Sequence, residues 1–357
     1  MSGPATSVTV LTAASPGAVG IIQLHGKSAA QLASKLTGRQ AWPVGRVALA
    51  DLGGIDQGLV VALRNDWIEL MPHGGPRVIG RLVDRLTDLG ARYDPQPAAR
   101  QLYPEARSDL EADMLLTLSR AASSAAIDLL LAQPSLWRQW AIEDRGQREA
   151  AETILARSRT LDRLIDPPTV VVVGRPNVGK STLTNCVLGR EASVVAHLPG
   201  TTRDWVAGLA ELRGAEGPGV AVRWLDTPGL RDSDDPIELA AIALAQQVIH
   251  AADVLIAMRD SHTDWPVAHA LGRDVDLWIM GKADLLDVVA DGDGRTRDAP
   301  LALSALTGSA VDRLLHAVLD HLQLTELEQP SLWAFSQPLC DALARNDIAS
   351  VELYTNS

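Results

Sequence analysis

Hydrophobic positions recur along this chain with a period that changes from segment to segment. Over the first hundred residues short apolar runs alternate with turns: Val8–Leu11, Gly20–Leu24, Val47–Ala50, Leu59–Leu63 and Trp67–Leu70. Each has the length and side-chain content of a strand. Two further stretches, Ser28–Leu36 and Pro76–Leu89, place apolar residues at helical spacing, so an α+β domain is expected over residues 1–104. From Glu105 to Ile165 the pattern turns helical, rich in Ala, Leu, Glu and Arg. A break is expected at Gln133-Pro134-Ser135, because an interior proline lacks an N–H and crowds the preceding turn. Asp166-Pro167-Pro168 closes this helical region, residues 105–166. Beyond it Val170–Val173, Val220–Leu225, Val254–Met258, Leu277–Met280 and Leu301–Ser304 read as strands separated by helical stretches. Runs that are apolar throughout belong to strands covered on both faces, which predicts a mostly parallel sheet with crossover helices. This α/β domain spans residues 167–324. Residues 325–357 form a partly helical tail expected to pack with the helical region. Gln-Pro-Ser-Leu-Trp occurs at 133–137 and again at 329–333; each copy could be a helix start with Ser as its N-cap, and chance similarity also accounts for the repeat.

Composition leaves this picture intact and narrows the function classes. The 357 residues are 46% hydrophobic and 21% charged, ordinary for a globular chain with two or three cores. A net charge of −12, with no basic arm, argues against a surface that wraps nucleic acid by charge alone, so no DNA partner is expected. The two cysteines, Cys186 and Cys340, make no disulfide framework and fit a reducing compartment. There is no signal peptide and no uncharged apolar stretch of about 18 residues. A cytoplasmic location with no membrane partner is expected.

Candidate chemistry concentrates in the α/β segment. Gly174-Arg175-Pro176-Asn177-Val178-Gly179-Lys180-Ser181 is a complete G-x-x-x-x-G-K-S loop between a strand and a helix-like stretch that opens at Thr182. Such a turn aims backbone N–H groups and a helix N-terminus at one point, where an anion is favoured. Lys180 is expected to reach the β- and γ-phosphates and assist catalysis, and Ser181 to ligate Mg²⁺. Asp226-Thr227-Pro228-Gly229 follows the next strand. There Asp226 can hold Mg²⁺ through water, and the Gly229 N–H can approach the γ-phosphate because no Cβ intervenes. Between the two motifs lies Gly200-Thr201-Thr202, which fits a plain loop but also offers the Thr202 hydroxyl to the metal shell and to catalysis. The base is read at Gly281-Lys282-Ala283-Asp284. The Asp284 carboxylate can accept from guanine N1–H and the 2-amino group, whereas adenine presents an acceptor at N1. Lys282 can lay its stem along the base, and the backbone of Ser304-Ala305 can meet the base oxygen. The expected substrate is GTP and the product GDP.

In this order the blocks resemble the translation-factor class of small GTPases. The flanks narrow the resemblance. Residues 15–26, Ser-Pro-Gly-Ala-Val-Gly-Ile-Ile-Gln-Leu-His-Gly, and residues 68–76, Ile-Glu-Leu-Met-Pro-His-Gly-Gly-Pro, are similar to two N-terminal signatures of the TrmE/MnmE tRNA-modification GTPases, although His73-Gly74-Gly75 alone also fits a strand-to-helix turn. The resemblance implies K⁺-stimulated GTP hydrolysis, with Asn177 as a K⁺ ligand, residues 196–201 as the potassium loop, and Glu238 as the catalytic residue. Asp235-Pro236-Ile237-Glu238 reads equally as a helix cap. The family further implies a homodimer formed through the N-terminal domain, a flavoprotein partner, and a tRNA wobble uridine as the target. Some positions depart from the pattern. Gly281 stands where the family has the Asn whose amide ties the base loop to the phosphate loop; losing one such bond costs about 1–2 kcal/mol, about tenfold in affinity. The family's 5-formyltetrahydrofolate site has an Arg, here Gln23, and a Lys, here Arg107, while Glu69 is kept. The chain also ends in Leu353-Tyr354-Thr355-Asn356-Ser357 rather than Cys-x-Gly-Lys. These departures weigh against folate binding and leave open a second expectation, a GTP-switch regulatory module without tRNA chemistry.

Overall fold

A computed structural model of the chain describes residues 6–12, 17–143, 149–193, 206–213, 218–227, 245–266, 271–286, 291–325, 327 and 330–356. They fall into two compact units, Met1–Ala112 and Asp113–Ser357. In the first, β1 (Ser7–Val10), β2 (Ile22–His25), β3 (Val47–Asp51), β4 (Gln57–Arg64), β5 (Trp67–Met71) and β6 (Arg92–Tyr93) form one sheet in the order β3-β4-β5-β2-β1-β6. Pairing is antiparallel except for β6, which runs parallel to β1. Strand alternation gives the sheet two unlike faces. Val8, Ile22, Leu24, Val60, Ile68 and Leu70 are buried in one core with α1 (Ala29–Thr37) and α2 (Pro76–Asp88). In α1 the buried residues Ala29, Leu32, Ala33 and Leu36 form a single apolar stripe, and the helix stops at Gly38 in the left-handed region, φ 69°. Gln23 and Glu69 are cross-strand partners on the other face. The two-residue β6 has no periodicity to read, and only its pairing with β1 makes it a strand.

After α3 (Ala99–Leu102) and α4 (Asp109–Leu118), the second unit carries α5 (Ala125–Ile142) and α6 (Ala151–Leu161) ahead of its sheet. That sheet comprises β7 (Thr169–Gly174), β8 (Ala192–Ser193), β9 (Val206–Leu212), β10 (Val220–Asp226), β11 (Val254–Arg259), β12 (Leu277–Met280), β13 (Asp291–Thr296) and β14 (Ala299–Ala302), ordered β13-β14-β12-β11-β7-β10-β9-β8. Strands β14, β12, β11, β7 and β10 are mutually parallel. The edges are antiparallel additions. Helix α7 (Lys180–Glu191) packs on β7, β9 and β10, while Ala245, Ile249 and Ala252 cover Val171, Val173, Leu225, Leu255 and Ala257. This is the expected α/β nucleotide-binding architecture, preceded by a small sheet domain and helices. No helix among the described residues is long and apolar enough to cross a membrane.

Two expectations are corrected. Pro134 does not break the helical region, because α5 runs through it. Leu129, Leu130, Trp137, Trp140 and Ala141 are all buried along this helix, which offsets the roughly 3 kcal/mol that an interior proline costs. Nor does either Gln-Pro-Ser-Leu-Trp copy start a helix: the first lies inside α5, and residues 330–335 are in neither helix nor strand. Instead the copies meet. Gln133 Nε2 donates to Ser331 O at 2.9 Å, Gln133 Oε1 accepts from Trp333 N at 2.9 Å, and Trp137 Nε1 donates to Trp333 O at 3.1 Å. Beyond them, helix Gln337–Ala344 packs on α6 and helix Ile348–Asn356 on α5.

Candidate nucleotide site

The carboxyl ends of β7, β10, β12 and β14 lie at one edge of the parallel sheet, the edge at which open α/β sheets bind ligands. Strand β7 carries four fully buried valines, Val170 to Val173, and stops at Gly174. A Cβ added there would lie 2.3 Å from Met258 O on β11, so only glycine allows the two strands to approach. The chain then passes through Asn177 at φ 65° and Gly179 at φ 106°, with Val178 fully buried between them. Left-handed residues interleaved with right-handed ones turn successive N–H groups toward one side, the nest that receives anions. Asn tolerates the left-handed region better than most side chains, so residue 177 has a conformational reason for its identity besides any role toward an ion.

Lys180, Ser181 and Thr182 form the first turn of α7. Buried Lys180 places Nζ 3.2 Å from Gly174 O and 3.1 Å from Arg175 O, donating to both. Burial lowers its pKa, an effect the Asp226 carboxylate opposes. Burial likewise raises the pKa of Asp226, against the Ser181 hydrogen bond and the Lys180 charge. Ser181 Oγ donates to Asp226 Oδ2 at 2.5 Å, whereas Asp226 Oδ1 is buried without a partner among the described residues. A buried orphan oxygen needs an explanation. Here the hydroxyl and carboxylate are the hard oxygen donors that suit a hydrated Mg²⁺, so the residues present fit that ion. Thr227 donates from both its backbone N and its Oγ1 to Val172 O, at 3.3 and 2.9 Å. Its hydroxyl therefore ties the end of β10 to β7.

At the base-reading end Gly281 N donates to Arg259 O at 2.8 Å, and Lys282 (φ 58°) turns the chain into a 3-10 turn, Ala283–Leu285. Ala283 N donates to Leu303 O at 3.0 Å, which sets the Lys282/Asp284 loop beside Ser304 and Ala305. Asp284 is exposed. Ser304 is buried and its N–H already donates to Ser309 O at 3.0 Å, so a contact with a base oxygen falls to Ala305 beyond it. One partner escaped the sequence reading: Lys282 Nζ donates to Asp260 Oδ2 at 2.7 Å. Asp260 is only 5% exposed. Burial pushes its pKa up, but bonds from Lys282, Thr263 and His262 outweigh burial and hold it below the ordinary aspartate value. The available signal was an Asp directly after β11, at the same edge as the other motifs.

Gly200, Thr201, Thr202, Pro228, Gly229 and Glu238, with the loop 196–201, lie outside the described residues. In the first unit Gln23 is 2% exposed. In the amide orientation that satisfies both neighbours, it donates to Gln101 O and accepts from Trp67 Nε1, each at 3.0 Å. Burial raises the pKa of Glu69 beside it, with Trp67 opposing and Glu105 adding to the rise. A neutral, already satisfied amide opposite a carboxylate offers no cation to an anionic ligand, so this face does not fit the folate that the family pattern implies. Arg107 is exposed, and its backbone N–H donates to Glu111 Oε2 at 2.7 Å.

Comparison with known proteins adds the following. Residues 169–286 match the family described as 50S ribosome-binding GTPase. A tRNA modification GTPase MnmE from Neisseria meningitidis serogroup C is 30% identical over 370 residues, covering 88% of this chain and 81% of that protein. The MnmE of Bordetella parapertussis is 30% identical over 377 residues, 89% of this chain and 82% of that one. Among solved structures, Era of Aquifex aeolicus shares 27% identity over 43% of this chain and 56% of its own, with a TM-score of 0.33.

Proposed function

This chain belongs to the tRNA modification GTPase MnmE family, and on that premise we propose that it couples GTP hydrolysis at the loop 174–181 to work on a tRNA. The observation that carries the reading is a single edge of the sheet holding a phosphate nest, the Ser181–Asp226 pair and the Lys282/Asp284 loop. The N–H groups from Asn177 to Thr182 receive the phosphates, and Lys180 exchanges the carbonyls of Gly174 and Arg175 for the β- and γ-phosphate oxygens. Ser181 and Asp226, with Thr202, would hold Mg²⁺, and that ion would supply positive charge to offset the negative charge that develops on the phosphates during transfer. Gly200, Thr201, Pro228 and Gly229 complete the nucleotide-binding set. Asp284 reads guanine, Lys282 lies along the base, and Ala305 meets the base oxygen. Glu238 orients a water in line with the γ-phosphorus. Attack forms the new P–O bond and breaks the bond to the β–γ bridging oxygen, giving GDP and phosphate. Asn177 holds K⁺ at the phosphate loop, where positive charge does the work of an arginine finger. A homodimer, a flavoprotein partner and tRNA complete the reading by family membership.

The satisfied Gln23 amide favours a second reading, a GTP switch that lacks folate-dependent one-carbon chemistry. One experiment separates the two. In cells deficient in wobble-uridine modification, the parent chain restores the modified nucleoside, whereas Lys180→Ala and Ser181→Ala variants, folded but unable to hydrolyse GTP, do not. Hydrolysis without restoration leaves only the switch. Normal hydrolysis by both variants removes the phosphate-loop assignment itself.

A further inference from the structure

Gly281 shows no positive φ, so its backbone does not require glycine. Its surroundings leave a side chain there little room unless Met258 shifts. A Cβ on Gly281 would lie 2.4 Å from Met258 Cε, 3.0 Å from Val178 O and 3.5 Å from Arg259 O. From the other side, a Cβ on Gly179 would lie 3.3 Å from the same Met258 Cε. Met258 is 1% exposed, and its strand position is fixed by pairing with Gly174 on β7 and Ile279 on β12. The thioether methyl therefore occupies the volume in which a side chain at residue 281 would begin, and it faces Gly179 of the phosphate loop as well.

We propose that Met258 is a positioning residue for the nucleotide: its side chain, wedged between Gly281 of the base loop and Gly179 of the phosphate loop, holds the two loops in register. An asparagine at 281 would do this through its amide. Here the thioether of Met258 fills the space at residue 281, beside the Val178 carbonyl 3.0 Å from that Cβ position, and dispersion across a filled gap takes over from a hydrogen bond. Methionine suits the role because its unbranched, polarizable chain fills irregular space. Gly281 is thus one half of a matched pair, and putting the asparagine back does not by itself restore the tie. The inference rests on these loops binding guanine and phosphate, which Asp284→Asn tests separately.

The test is equilibrium binding of GDP and ADP to the full chain as parent, Gly281→Asn, Met258→Ala and the double variant. Gly281→Asn should weaken GDP binding about tenfold and Met258→Ala several-fold. The double variant should bind GDP about tenfold better than Gly281→Asn alone, because removing the thioether makes room for the amide. Met258→Leu, which keeps a buried apolar side chain of similar volume, should retain most of the affinity. The preference for GDP over ADP should fall in both single variants, since a displaced base loop no longer presents its carboxylate in register with bound phosphates. A merely structural role would lower the melting temperature and leave that preference unchanged. Gly281→Asn binding GDP as tightly as the parent overturns the proposal, and so does strict additivity of the two substitutions. If Met258→Ala does not fold, Gly281→Ala carries the test: its single methyl should weaken GDP binding, and unchanged affinity is the overturning result.

Discussion

Asp260 and Asp284 lie at the same edge of the sheet in opposite environments, and the proposed reading gives them different work. Asp284 is exposed and free to face a base. Replacing its carboxylate by an amide exchanges one acceptor for a donor, which matches the 2-carbonyl of xanthine better than the 2-amino group of guanine. Asp284→Asn should therefore lower the preference for GTP over XTP in competition binding, and an unchanged preference would place guanine recognition elsewhere. Asp260 is buried and holds Lys282 at 2.7 Å. Burial raises its pKa, but the bonds from Lys282, Thr263 and His262 prevail and the net shift is downward. A depressed carboxylate contributes fully above its unfolded pKa and loses that contribution as pH falls through the folded value. Asp260→Asn should consequently weaken GDP binding about threefold near neutrality. The gap between parent and variant should close only below the ordinary aspartate pKa of about 3.9. A gap that closes well above that value would mean that the Asp260 charge does not hold Lys282.

The element that most clearly resists a local reading is α5. Its proline and its Gln-Pro-Ser-Leu-Trp run look like a boundary, yet the helix continues because its buried side chains outweigh the proline penalty. Gln133 then turns to the second copy of the same pentapeptide. Its buried amide donates to Leu129 O and Ser331 O and accepts from Trp333 N. A single side chain thereby satisfies a carbonyl of its own helix and pins a segment that is itself neither strand nor helix. Gln133→Ala leaves the buried Trp333 N–H unpaired and should cost about 1–3 kcal/mol, read as a lower urea midpoint with an unchanged slope. GTP turnover should stay the same, since α5 carries no nucleotide-site residue. An unmoved midpoint would show that the pairing contributes nothing to stability.

The whole molecule brings in groups that no single element supplies. In the proposed mechanism Asn177 would hold K⁺ within a homodimer, so hydrolysis should be faster in KCl than in NaCl at equal ionic strength. The advantage should grow with protein concentration. Asn177→Ala should erase the difference between the salts. Glu238→Ala should slow turnover in KCl without weakening GTP binding, whereas loss of a helix cap would cost about 0.5–2 kcal/mol of stability and leave turnover intact. Equal rates in both salts at every concentration would leave a GTPase that works without the ion. A net charge of −12 adds a constraint of its own: the tRNA contact of the proposed reading requires a local basic patch, because the molecule as a whole repels phosphate.

The five parallel strands, the phosphate loop and the base loop are legible in the sequence for one reason. Each is written in contiguous residues, and its geometry follows from neighbours a few positions away. Gly174 to Ser181 needs only a buried strand before it and a helix after it, and a valine run announces the first. Folding decides the rest, because the partners are distant along the chain and become neighbours only when the sheet assembles. Asp226 meets Ser181 because β10 lies beside β7. Asp260 finds Lys282 because β11 and β12 end together. Strand β9, which carries no strand signal of its own, exists because it pairs along its whole length with β10. Gly281, which in the sequence is only a missing asparagine, becomes in the structure the space that Met258 fills. Sequence periodicity reports which residues want to be buried, but burial and pairing across the sheet choose the partner, and that energy is large enough to override a proline or to replace an amide with a methyl group.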